Sequence, residues 1–450
     1  MFEPSNNRLE ESFSTEGDGN MRFDFIWGIH SVVRAGMFLL IIGCTSAGGG
    51  IEGEWVGERV EDGNVITVVN ISGSVWGGKA RLVEEASIGT VDGNDAYLLG
   101  RVQDIETDGE RIYVLDASVN TIRVYDMNGI HITDLGREGS GPGEFRQPKS
   151  AAINPADGTL FVRDGEMSRI SIFTPDGDPI GQWMLFSGWQ MSRELIFADD
   201  GKLYTPALQN IGSAVEDWRF GMISWGPEGA QGDTFAQPEY DWSPRKLVAH
   251  YEGGGTSTND VPFFPEIVWN MSPDRMIVSG LATEYRFEVR HPDGSMTVIE
   301  RDYKPVPIDP EEARWHENAQ TANMRNNQPG WAWNGAPIPK HKAAYDGLYP
   351  DRSKRVWVRR PGPGMIRPDG VADPLGDNDT SWWQNPYWVD TYIVDVFEYA
   401  GRFLGEVEIP DGFSFDRMPF IRDNMIIALV EDEDGTPYVK RYRLVLPDSQ

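Results

Sequence analysis

Aspartate and glycine landmarks recur in this chain at a single offset. Asp116 and Asp164 lie 48 residues apart, and so do Gly129 and Gly177. Around them two stretches read alike, Asp108-Gly109-Glu110-Arg111-Ile112-Tyr113-Val114-Leu115-Asp116 and Asp157-Gly158-Thr159-Leu160-Phe161-Val162-Arg163-Asp164. Each is followed by an alternating apolar run (Ile122 and Val124, then Ile170 and Ile172) and by a turn at Asn128-Gly129 or Asp176-Gly177. Alternation puts apolar side chains on one face of a strand, and Asn-Gly or Asp-Gly closes hairpins. A unit of this length built from strands is the mark of a propeller or a solenoid.

Weaker copies follow. Asp200-Gly201-Lys202-Leu203-Tyr204 with Gly221 to Trp225 makes a third, and Asp274 to Val278 with Tyr285 to Val289 a fourth. Lys354 to Val358 pairs with Ile393 to Phe397 as a fifth, split by a long insertion. Asn424 to Leu429 and Tyr438 to Tyr442 make a sixth. The first copy carries a prefix, Ile88-Gly89-Thr90-Val91-Asp92-Gly93, that parallels Leu135-Gly136-Arg137-Glu138-Gly139-Ser140. Ala80 to Glu85 therefore occupies the place of an outermost strand with no complete blade before it. The expected fold is an all-β, six-bladed propeller closed by this N-terminal strand completing the last blade, which removes the exposed edges of an open array. The 305–390 stretch leaves a seventh blade open as an alternative.

Gly141-Pro142-Gly143-Glu144-Phe145-Arg146-Gln147-Pro148, followed by Asp157-Gly158, Asp164, Arg169-Ile170 and Asp176-Gly177, resembles an NHL repeat. From about Asn64 to the C-terminus the chain is similar to the six-bladed NHL-repeat-like β-propeller lipoproteins of bacteria. That resemblance brings two metal precedents, a zinc-dependent amidating lyase and lactonase-type propellers with calcium in the channel. No cofactor is expected from the residues themselves, since no calcium or zinc ligand set is assignable, and calcium or zinc held in the channel by residues of separate blades stays open as the alternative. The six histidines, His30, His131, His250, His291, His316 and His341, show no metal-ligand spacing.

The N-terminus reads as an address. Arg34 precedes Met37-Phe38-Leu39-Leu40-Ile41-Ile42-Gly43-Cys44, and Thr45-Ser46-Ala47 follows. A basic residue, a short apolar run and small residues make a secretory signal. Ile41-Ile42-Gly43-Cys44 resembles a lipobox, which implies lipidation at Cys44. The run is shorter than the roughly 20 residues of a stable span. The domain plan is then a leader and signal over 1–43 (starting at Met1 or Met21), a flexible tether over 44–63, and a propeller over 64–450 with an aromatic-rich insertion at about 303–390. The expected location is the cell envelope, secreted and lipid-anchored, at the outer membrane.

Composition narrows the partners. Lys and Arg number 40 against 70 Asp and Glu, a net charge of −30, which argues against nucleic acid because phosphate binding needs clustered bases. The single cysteine excludes structural disulfides and multi-cysteine metal sites. No nucleophile elbow with a triad is present, and the glycines of 136–143 lack the Lys-Ser/Thr of a phosphate loop.

Function in propellers sits where loops and inner strands meet at the channel mouth. The repeat register places the inner strands' first residues near Gln103, Lys149, Glu194, Trp269, Tyr345 and Phe420, the candidate channel-mouth residues. In the insertion, Trp331, Trp333, Trp382, Trp383 and Trp388 form a candidate aromatic platform for a peptide, glycan or envelope protein, because aromatic rings offer large faces with few rotors. The opposite reading makes them a plug that seats the insertion on the ring. Glu311 to Glu317 reads as a short helix capped by Asp309 with Pro310 in its first turn. The functional expectation is a non-catalytic ligand- or protein-binding scaffold. The alternative is a propeller enzyme, a lyase or metal-dependent lactone hydrolase, with its site at the channel mouth.

Overall fold

The central strands of each repeat have no polar face. All five residues of Arg169–Phe173 are buried, and so are five of the six in Thr121–Asp126, whereas the outer strand Pro179–Met184 is almost wholly exposed. Strands covered on both faces are what a ring of stacked blades demands. The computed structural model describes residues 53–185, 195–209, 219–243, 245–376 and 385–447, and within them six antiparallel blades follow one another, the last two joined where Val407 and Glu408 pair in parallel with Ala80 and Arg81.

The first blade is Val102–Thr107, Arg111–Asp116, Thr121–Asp126 and His131–Leu135, each strand paired with the next. The second spans 148–184, the third 196–236, the fourth 267–301 and the fifth 347–408. The sixth joins Phe420–Arg422, Met425–Glu431 and Pro437–Val445 to Ala80–Ile88, which lies antiparallel to Pro437–Val445 with Val83 opposite Arg443. An apolar cluster fills each seam. Tyr113, Ile122 and Val124 of the first blade meet Ala151, Leu160 and Val162 of the second. Ile88, Ile427 and Val439 of the sixth meet Ile105 and Val114 of the first. The six blades leave no seam for a seventh among the described residues.

The repeated aspartates explain themselves in three dimensions. Asp116 accepts the backbone N–H groups of Gly100, Arg101 and Ser118, at 3.0 to 3.2 Å. Asp164 accepts those of Arg146, Gln147 and Met167. Each buried carboxylate pins the connector that enters its own blade to the turn between the two central strands. Charged acceptors of this kind contribute about 1.5–3 kcal/mol per bond.

Two expectations about boundaries are corrected. The tether expected over 44–63 does not run that far, because Val56–Asp62 is already a strand, paired with Val65–Ser72. This hairpin adds to the fourth blade, Val65–Ser72 lying parallel to Met296–Arg301. The chain then crosses the fifth blade, where Val75 and Trp76 donate to the carbonyls of Phe403 and Leu404, before reaching the sixth. Residues 53–88 thus strap three consecutive blades. The second correction concerns the insertion at 303–390, which is not one block: the fifth blade's strands Gly347–Pro350 and Arg355–Ile366 interrupt it.

Its first arm holds helix α1, Pro310–Asn327, longer than the short helix read from sequence, with Asp309 as its cap accepting from Glu311 N at 2.7 Å. A hairpin from the connector before the fourth blade, Lys246–His250 with Thr256–Asp260, packs against it through Leu247, Ala249, Val261, Met324 and Trp331. The second arm, between Arg355–Ile366 and Trp388–Glu398, meets the helix where Trp315 Nε1 donates to Val371 O at 2.8 Å. Connectors between blades and the turn between a blade's central strands emerge at the same end of antiparallel sheets, so the three excursions share one face of the ring as a cap, in which the hairpin and the helical arm have a core of their own.

Candidate functional site

The inner strands surround a small axial cavity of about 60 Å3 that is partly open to solvent. Five blades contribute to its lining: Asp104 and Glu106 from the first, Leu195 and Ile196 from the third, Met271 from the fourth, Arg352 from the fifth, and Met418 and Phe420 from the sixth. Asp104 and Glu106 share a strand face by the two-residue period. Asp104 accepts Ile105 N at 2.9 Å and Ala151 N at 2.8 Å, so it ties the first two inner strands together.

Glu106 is the electrostatic centre. Its carboxyl approaches Arg352 at 3.4 Å, across 246 residues of sequence. Burial pushes the Glu106 pKa above the ordinary carboxylate range, and the opposing pulls of Arg352 and Arg422 do not cancel it. Both guanidinium groups lie against Phe420, Arg352 at 4.8 Å and Arg422 at 5.2 Å from the ring centroid. The cavity therefore presents three acids, Asp104, Glu106 and Asp351, one cation, Arg352, and thioether and proline walls. Its described lining includes no histidine and no hydroxyl or thiol paired with a base, and among the described residues no three His, Cys, Asp or Glu side chains are grouped to hold a metal ion.

The residues named from sequence divide. Phe420 lines the cavity. Gln103 and Lys149 are half-buried and occupy equivalent places, at the irregularities between Val102 and Asp104 and between Pro148 and Ser150. Trp269 is half-buried, packed on the seam between the third and fourth blades with Tyr204, Met222 and Met271. Tyr345 is corrected: it is fully buried among Tyr285, Phe287 and Phe397, with its hydroxyl donating to Arg286 O at 2.8 Å, and has no channel surface. Glu194 and Cys44 lie outside the described residues.

The platform is corrected in the same way. Trp331 is 2% exposed and its Nε1 donates to Val248 O at 2.7 Å, so it anchors the cap's core instead of offering a face. Trp333 is half-buried beside it, with Nε1 donating to Ala336 O, and Trp388 is half-buried edge-on to Tyr387. Trp382 and Trp383 lie outside the described residues. Glu106 and Arg352 were missed. Glu106 was reachable from the period of its strand, but Arg352 sits in a turn of the weakest repeat, which sequence alone does not align.

Beneath the cap lies a second buried group. Lys342 Nζ, with no exposed side-chain area, contacts Glu312 at 2.7 Å and Asp390, and lies 5.1 Å from the Phe263 ring centroid. His316 packs edge-on against Phe263 and Trp315. Burial, aided by the Lys342 charge and partly opposed by Asp390, pulls the His316 pKa down to about 4.

Comparison with protein-family models supports the architecture. Residues 90–185 match the DUF5128 family model, described as a 6-bladed beta-propeller. A DUF4221 family member from Bacteroides vulgatus is 12% identical, with 82% of this chain and 99% of that chain covered and a TM-score of 0.49. Virginiamycin B lyase from Staphylococcus aureus is 10% identical, with 76% and 95% covered and a TM-score of 0.37. No curated protein matches the sequence. No helix among the described residues is long and apolar enough to cross a membrane. By its own six blades and by the family match over its first two repeats, the chain is a six-bladed β-propeller.

Proposed function

We propose that this protein is a lipid-anchored, extracytoplasmic propeller that captures a ligand or protein partner at its capped face without transforming it. The observation that carries the reading is the cap. Two excursions share one apolar core, a third is tied to it through Trp315 and Val371, and beneath them Lys342 and Glu312 are buried as a pair that Asp390 flanks, which is far more structure than connecting strands requires. Loops held this firmly present a pre-formed surface, and pre-formed surfaces lose little entropy on binding. The lipobox-like segment at Cys44 supports the address.

A photo-crosslinking residue placed at Arg314 or Arg325, both exposed on α1, is expected to give one discrete adduct in the native host. The same residue at Glu110, in a turn at the opposite end of the first blade, gives none. Adducts of equal yield at both ends sink the reading. One feature favours the enzyme alternative: Glu106, with its raised pKa in an axial cavity, has the character of a proton donor. Elemental analysis of untagged protein separates the two, since a stoichiometric zinc or calcium ion overturns the non-catalytic reading.

A further inference from the structure

Four basic residues gather at the axial mouth of a chain that is strongly acidic overall. Arg101 directly precedes the first blade's inner strand, with its N–H held by Asp116 at 3.1 Å and its Nη2 donating to Ala117 O. Lys149 is the second residue of the second blade's inner strand, at the irregularity where one residue escapes pairing. Such bulges re-aim a side chain. Arg417 arrives from the connector before the sixth blade's inner strand, its Nε donating to Val102 O at 3.3 Å. Arg163 stands nearby on the second blade's next strand.

Acidic residues neutralise most bases elsewhere in this protein. Arg101, Lys149 and Arg417 are exceptions, making no ion pair with a described residue, although the chain has 70 acids for 40 bases. The charges that act on Lys149 are those of Arg101, Arg417 and Arg163, and burial together with these like charges holds its pKa below the ordinary lysine value. The Lys149 stem is fitted against Gly165, where an added Cβ would come within 3.2 Å of Lys149 Cγ. Its ammonium is therefore held in place among like charges, an arrangement that is unfavourable until an anion enters.

We infer that Arg101, Lys149 and Arg417 form a binding site for a small, multiply charged oxyanion, a carboxylate or phosphate compound, at the end of the ring where the inner strands begin. The three cations come from three different blades, and Gln103 stands at the position equivalent to Lys149 in the first blade. The net charge of −30 repels anions from the rest of the surface, so the site is selective by contrast with its surroundings. The inference rests on the ligand-binding reading above and names its ligand class.

The test is calorimetric titration of the purified full chain at low ionic strength with citrate, inorganic phosphate and sulfate. Saturable binding of at least one is expected, weakened about 10-fold or more by Lys149→Glu and by Arg417→Gln. Lys304→Glu, an exposed charge reversal elsewhere, leaves it unchanged. If Lys149→Glu fails to fold, Lys149→Gln replaces it, and Arg417→Gln on the connector stands independently. No saturable binding of any probe overturns the inference, as does equal weakening by Lys304→Glu. Either result leaves crosslinking at α1 untouched, so the site and the scaffold reading fail separately.

Discussion

The side-chain oxygen of Asn70 accepts the backbone N–H of Phe403 at 2.8 Å. The same oxygen accepts Trp55 Nε1 at 2.7 Å, while the amide nitrogen donates to Glu300 O at 3.1 Å and Gly401 O at 3.0 Å. One buried amide thus joins the N-terminal strap to the fourth and fifth blades, at sequence separations of 230 and 331 residues. All its bonding capacity is used.

Replacing it with an apolar side chain leaves four polar groups without partners. Asn70→Leu is expected to lower stability by about 3 kcal/mol, because each orphaned buried group costs about 1–3 kcal/mol and part of the loss is recovered by water. Urea denaturation of the variant beside the parent measures this. A change within error shows that the strap is not part of the cooperative unit.

The buried lysine of the cap makes the opposite kind of prediction, local and not global. Lys342→Met strips Glu312 and Asp390 of their cation and is expected to cost about 3–5 kcal/mol in the cap. Hydrogen exchange should rise over α1 and stay unchanged in the first two blades. Adding Glu312→Gln should restore part of the protection, since it removes one of the stranded charges.

His316 sets an acid limit on the same cap. Its pKa in the fold, about 4, lies below the free value of 6.5, so the folded state favours the neutral ring. The stability this provides is fully present above pH 6.5 and is lost as pH falls through 4, by up to about 3 kcal/mol. His316→Gln should therefore flatten the loss of stability between pH 6.5 and 4. Parallel urea melts at those two pH values decide the matter, and an unchanged slope in the variant refutes it.

For the address, Cys44→Ala is expected to abolish labelling by a fatty-acid analogue and to accumulate unprocessed precursor. Labelling of the variant at the parental level excludes the lipobox.

Much of this architecture was readable before any coordinates. Asp116 and Asp164 pointed to the repeat because each performs the same local task, and local tasks leave a local pattern. Phe420, which lines the cavity, followed by counting along the repeat. Tyr345 went wrong because the fifth blade is degenerate, and a small shift along a strand moves a side chain from the axis into the seam. Trp331 was ambiguous for another reason. The hairpin that covers it comes from a different connector, 83 residues away at Val248, and nothing in either segment announces the other.

The amino-acid order alone determined the strand-and-turn unit, because alternation, Asp-Gly turns and capping aspartates act over a few neighbouring residues. Only the closed ring decided that Glu106 meets Arg352, that three excursions merge into one cap, and that Arg101, Lys149 and Arg417 stand together. Those contacts join residues from distant blades, and their energies depend on burial and electrostatics that exist only once the ring has formed.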